Sequence, residues 1–141
     1  MPGRFELLGH QPLVIVDGAH NPAGADVCAD VFFTDFDPAG KRVLVVGFLR
    51  GRDPVAMLEA LRADEFDLVV ACTAPSPRGM PGEEVAAAAK QIGCDKVVTE
   101  TSVERACNMA LHGRTADDAV LVTGSLYVVG SARPHLKATL P

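Results

Sequence analysis

Three short stretches of the chain combine residue types that could do chemistry. The first is Asp17-Gly18-Ala19-His20-Asn21-Pro22, directly after the apolar run Leu13-Val14-Ile15-Val16. A carboxylate at a strand tip can accept two hydroxyl hydrogen bonds, as from a ribose. Gly18 and Ala19 keep the backbone close to whatever binds. His20 and Asn21 fall at a helix start, where free N–H groups favour an anion, and Pro22 suits the first helical turn. A purely local reading competes: Asn21 as helix cap and Asp17 as turn former. The cap role is compatible with a ligand role, but it does not account for an aspartate and a histidine three residues apart at one strand tip.

The second stretch, Thr123-Gly124-Ser125, also runs from an apolar segment into a helical one. Its hydroxyls and the helix N-terminus could hold a carboxylate or phosphate, although serine is also a common cap. The third, residues 47–54, carries Arg50 and Arg52 in a glycine-containing loop. Guanidinium groups there could meet phosphate or carboxylate bidentately; equally, the loop could be solvated, with Asp53 capping the next helix. Arg4 and Arg78 read by themselves as surface residues. His10, His112 and His135 lie in turn or terminal contexts without an assigned role, and Tyr127 and the phenylalanines read as packing groups. The chain contains no GxxxxGK[ST] phosphate loop and no GxGxxG.

Those stretches must be positioned by the elements around them. Continuous apolar runs at 13–16, 43–46, 68–72, 97–98 and 119–122 read as strands buried on both faces. Phe5 to Leu8 reads as a first strand, joined to 13–16 through a turn at Gly9-His10-Gln11-Pro12. Helical periodicity covers 22–34, 54–63, 82–92 (stopped by Gly93), 102–112 (with Ser102 as N-cap) and, as a short helix, 125–133. Strands alternating with helices imply an α/β fold with a mostly parallel sheet covered on both faces. In such sheets ligands gather at the carboxyl ends of the strands, and each polar cluster named above falls at such an end. The Pro-rich segment 74–81 reads as a surface loop near that edge.

The 141 residues suit one domain. A net charge of −5 argues against a nucleic-acid surface, and no stretch approaches the roughly 20 apolar residues of a membrane span. The first ten residues show no secretory signal pattern. Cys28, Cys72, Cys94 and Cys107 form no CxxC pair and read as small buried hydrophobes in a reducing cytoplasm, with no metal site.

The segments Pro2-Gly3-Arg4-Phe5, Pro12 through Pro22 and Val120-Leu121-Val122-Thr123-Gly124-Ser125-Leu126-Tyr127 together resemble the C-terminal domain of folylpolyglutamate synthase/dihydrofolate synthase, in the Mur ligase superfamily. The resemblance runs from about Pro2 to about Arg133. It implies a Rossmann-like domain with a six-stranded, mainly parallel sheet. It also implies ATP, with magnesium, as the nucleotide, and glutamate and folate or dihydropteroate as the other substrates. A partner domain bearing the phosphate loop and the magnesium ligands is implied as well. By motif, Arg4 and Asp17 match nucleotide-contacting positions, Asp17 at the ribose, with Asn21 a weaker companion. His20 and Ser125 match positions of glutamate placement and catalysis. Arg50-Gly51-Arg52-Asp53 departs from the family's lysine-bearing pattern, which leaves the two arginines open. The phosphate loop is absent, so the expectation is a fragment of a longer ligase or a free-standing copy of the domain, inactive alone. Two other readings stay open: a binding or regulatory module without chemistry, and a ligase domain acting on a peptidoglycan precursor.

Overall fold

The computed structural model describes residues 4–141; Pro2 and Gly3 of the resemblance lie outside them. Six strands form one sheet: β1 (Glu6–His10), β2 (Leu13–Asp17), β3 (Arg42–Val46), β4 (Leu68–Ala71), β5 (Val97–Thr99) and β6 (Ala119–Thr123). Their spatial order is β1-β2-β6-β3-β4-β5. Only β1 runs antiparallel to its neighbour; the other pairings are parallel. The central strands are fully buried along β2, β3 and β6 at Val14–Val16, Val43–Val46 and Ala119–Thr123. That is why they read as unbroken apolar runs and not as alternating ones.

Five α-helices cover the sheet: α1 (Pro22–Asp30), α2 (Pro54–Ala60), α3 (Gly82–Gln91), α4 (Val103–Leu111) and α5 (Leu126–Thr139). Side chains from α1, α2 and α3 pack with Ile15, Leu44, Val69 and Leu121 on one face. Those of α4 and α5 pack with Val14, Val45, Val70 and Val122 on the other. The period-2 alternation of each strand thus feeds two separate cores.

Several boundaries differ from expectation. The first strand is Glu6–His10 and not 5–8, with its turn reduced to Gln11-Pro12, because Gly9 and His10 pair with Val14 and Leu13. The helix expected over 22–34 is α-helical only to Asp30 and continues as a π-helix, Val31–Phe36. That wider turn lets consecutive Phe32 and Phe33 both enter the core, where Phe32 stacks on Phe66 at 5.3 Å. The last helix is not short: it passes through Pro134 and ends at Thr139. Its buried Val128, Val129, Ala132 and Leu136 hold it on the sheet despite the proline.

Candidate functional site

Strand order creates the site. β2 and β6 are neighbours, with Asp17 opposite Thr123 in register. The helices that leave them go to opposite faces, α1 into the first core and α5 into the second. Between two such helix starts the sheet edge is left uncovered, and a crevice opens at the strand tips.

Arg4, Asp17, His20, Asn21, Cys28 and Leu126 are among the residues lining a cleft of about 420 Å³ there. A smaller cleft of about 100 Å³ adjoins it, lined by His20, Leu49, Arg52, Ser125, Leu126 and Tyr127, among others. His20 and Leu126 border both. The structure therefore gathers Arg4, Asp17, His20, Asn21 and Ser125 into one region, with Arg4, Asp17 and Asn21 on one side and Ser125 on the other.

The Asp17 carboxylate accepts the Ala19 N–H at 2.8 Å and the Phe5 N–H at 2.9 Å. A carboxylate has about four acceptor positions, so two remain for a ligand. Burial pushes its pKa up, while the Ala19 and Phe5 amides and the Arg4 charge pull it back. His20 donates from Nδ1 to the Gly18 carbonyl at 3.1 Å. A carbonyl only accepts, so Nδ1 carries a proton, and in the neutral form of the ring Nε2 is the acceptor. Asn21 caps α1, its Oδ1 accepting the Gly24 N–H at 2.8 Å. Ser125 caps α5, its Oγ accepting from the Tyr127 N–H at 3.0 Å, which leaves its O–H proton to donate.

Gly124 sets the approach of α5. Its φ is +112°, and a Cβ there would collide with the Gly47 carbonyl oxygen. No other residue type fits that close crossing.

The two arginines left open by the sequence separate. Arg50 pairs with Glu84 at 3.3 Å, and its N–H donates to the Arg78 carbonyl at 2.7 Å. Arg52 lines the smaller cleft, and its guanidinium has no ion-pair partner among the described residues. Thr123, considered with Ser125 as a hydroxyl for the ligand, is fully buried and lines neither cleft. Tyr127 is not a packing group: it is 51% exposed at the mouth of the smaller cleft. Leu126 and Val27, at 61% and 65% exposed, were also missed. Helical spacing could have found Leu126 and Tyr127, since of the run 126–129 only Val128 and Val129 can face the sheet.

All four cysteines are free and buried. Burial pushes the Cys72 and Cys107 thiols up to about 12, and that of Cys28 higher still. Cys28 therefore lines the larger cleft as an unreactive apolar group. No helix among the described residues is long and apolar enough to cross a membrane.

Comparison with known proteins places the sequence and the fold in a family. The Mur ligase, glutamate ligase domain family model matches residues 3–126. A probable bifunctional folylpolyglutamate synthase/dihydropteroate synthase of Halobacterium salinarum is 38% identical over 139 residues, which is 98% of this chain and 16% of that protein. A Mycobacterium tuberculosis folylpolyglutamate synthase, solved with ADP and AMPPCP, superposes with a TM-score of 0.85 at 33% identity, over 96% of this chain and 32% of its own. A bifunctional folylpolyglutamate synthase/dihydrofolate synthase with Mn, AMPPNP and L-glutamate bound gives a TM-score of 0.83 at 29% identity, again over 96% and 32%. The chain thus spans about a third or less of the length of these proteins. With a matching family model over most of its length and this sheet order, the chain belongs to the Mur ligase family as a glutamate ligase domain of the folylpolyglutamate synthase type.

Proposed function

We propose that this chain holds the nucleotide and the incoming amino acid for an ATP-dependent ligase that joins glutamate to folate or dihydropteroate. One observation carries the reading: two clefts meet at His20, in the crevice between helices that leave adjacent strands for opposite faces. In such a reaction the acceptor carboxylate attacks the γ-phosphorus, giving an acyl phosphate and ADP. The glutamate amine then attacks the acyl carbon, phosphate leaves, and an amide forms.

The parts assigned to this chain are binding and orientation. Asp17 directs its two remaining acceptor positions at the ribose hydroxyls, and Arg4 brings a cation to the nucleotide. Asn21 caps α1 and can add a donor at the cleft rim. Ser125, the start of α5 and Arg52 form a cationic, donor-rich corner suited to the carboxylates of glutamate. His20, between the two, orients the amino acid; in the neutral ring its Nε2 is an acceptor that can take a proton from the glutamate ammonium, freeing the amine that then attacks. The triphosphate and its magnesium fall to a partner domain, because this chain has no phosphate loop, and no three His, Cys, Asp or Glu side chains gather among the described residues. Four buried free thiols suit a reducing cytoplasm.

Titration of the chain with ADP and with glutamate, followed by NMR, tests the assignment. ADP should perturb residues around Asp17 and Gly24, and glutamate those around Ser125 and Arg52. Asp17→Ala should weaken ADP binding at least about tenfold, the loss of one or two hydrogen bonds to a charged acceptor. Perturbations confined to the opposite sheet edge, near β2 and β6 N-termini, would sink the reading.

A further inference from the structure

We infer that Glu6 and Arg133 are positioning residues for the nucleotide cleft, acting through Arg4; the inference rests on the nucleotide reading of that cleft. Phe5 has φ 43°, a left-handed conformation in a residue that is not glycine. Such a conformation costs energy and persists only where the surroundings over-determine it. Three contacts do so here, from three directions. The Phe5 N–H donates to Asp17 at 2.9 Å. The Phe5 ring lies 5.5 Å from that of Phe36, on the α1 side of the sheet. On the α5 side, Arg133 donates bidentately to Glu6, from Nε at 2.8 Å and from Nη2 at 3.0 Å.

β1 is a short edge strand, hydrogen-bonded to β2 and packed through Leu7 and Leu8 on the two cores. These anchor the strand itself but not Phe5 ahead of it, so without the three contacts its first residues would relax to an ordinary backbone. Arg4, one residue before the strained position, lines the large cleft, so relaxation of Phe5 swings it away. Glu6 and Arg133 line neither cleft; their effect on binding is indirect. The planar, forked guanidinium is what fits a bidentate carboxylate.

The test compares the chain with Glu6→Gln, Arg133→Gln, Arg4→Ala and Glu6→Gln combined with Arg4→Ala. Amide hydrogen exchange reads the strained turn directly, and ADP titration reads the cleft. In Glu6→Gln the Phe5 amide should exchange at least about tenfold faster while the Val16 amide stays protected. ADP binding should weaken roughly three- to tenfold, and the same substitution should have no further effect once Arg4 is alanine. Arg133→Gln should reproduce both effects. Unchanged Phe5 exchange, or an equal loss of ADP binding with and without Arg4, overturns the inference while leaving the nucleotide site intact. Failure of the unaltered chain to respond to ADP anywhere near Asp17 overturns the nucleotide reading, and the inference with it.

Discussion

Two aspartates illustrate how differently one residue type can be used in this fold. Asp118, 7% exposed, accepts the Lys41 N–H at 2.9 Å and the Thr115 N–H at 2.8 Å. The Thr115 amide bond is the main cause that holds its pKa below the ordinary 3.8. Asp17 lines the larger cleft at the strand tips, and burial lifts its pKa above that value. The signs of their pH dependence are therefore opposite. Asp118 contributes stability above the unfolded pKa and loses it as pH falls through the lower folded value. Asp17 contributes stability below the unfolded pKa and loses it as pH rises through the higher folded value. Urea denaturation between about pH 3 and pH 7 should show the deficit of Asp118→Asn growing with pH, to about 1–3 kcal/mol. Relative to the unaltered chain, Asp17→Asn should become more stable over the same range. Equal slopes would remove the distinction between the two carboxylates. Gly124 belongs at this scale too. Gly124→Ala should cost roughly 2–4 kcal/mol, read as a fall in melting temperature, because φ +112° and the adjacent Gly47 carbonyl both exclude a Cβ.

Among the elements, α5 carries the most conflict between local preference and tertiary context. Pro134 lies inside it and is exposed, so the carbonyl one turn earlier, on Gly130, loses its N–H partner. Pro134→Ala should raise stability by about 1–3 kcal/mol in chemical denaturation. Gly130→Ala should add about 0.5–1 kcal/mol, since nothing lies within 4 Å of the Cβ it would gain. A loss of stability in either would mean that the proline is part of the packing. The same conflict explains why the sequence suggested a helix ending near Arg133. Local signals stop at the proline, whereas burial of Leu136 continues the helix beyond it. Where local and tertiary signals agree, the elements were legible. Ser102 caps α4 and accepts from the Arg105 N–H, and Gly93, at φ +91°, ends α3. The π-helical turn at Val31–Phe36 left no such trace, because it arises from packing two adjacent phenylalanines against Phe66.

For the molecule as a whole, the apolar runs and their helical spacers were enough to imply a parallel sheet with two covered faces, and the motif at 17–22 pointed to the strand tip where the larger cleft opens. On the proposed reading, the chain by itself should form no amide from ATP, glutamate and a folate acceptor. Addition of a domain carrying a phosphate loop should restore ligation, measured as ADP release coupled to product. Turnover by the chain alone would refute the division of labour. What residue order could not supply is which strand lies beside which. β6 inserts between β2 and β3, and that pairing alone brings Ser125 within reach of the cleft that Asp17 and His20 begin, more than a hundred residues away in the chain. The same holds for Glu6 and Arg133. Local sequence decides backbone preference within a few residues, so helix caps, turns and buried strands can be read from it. Contacts between distant segments depend on how all the apolar faces are buried at once, and only the folded molecule resolves that.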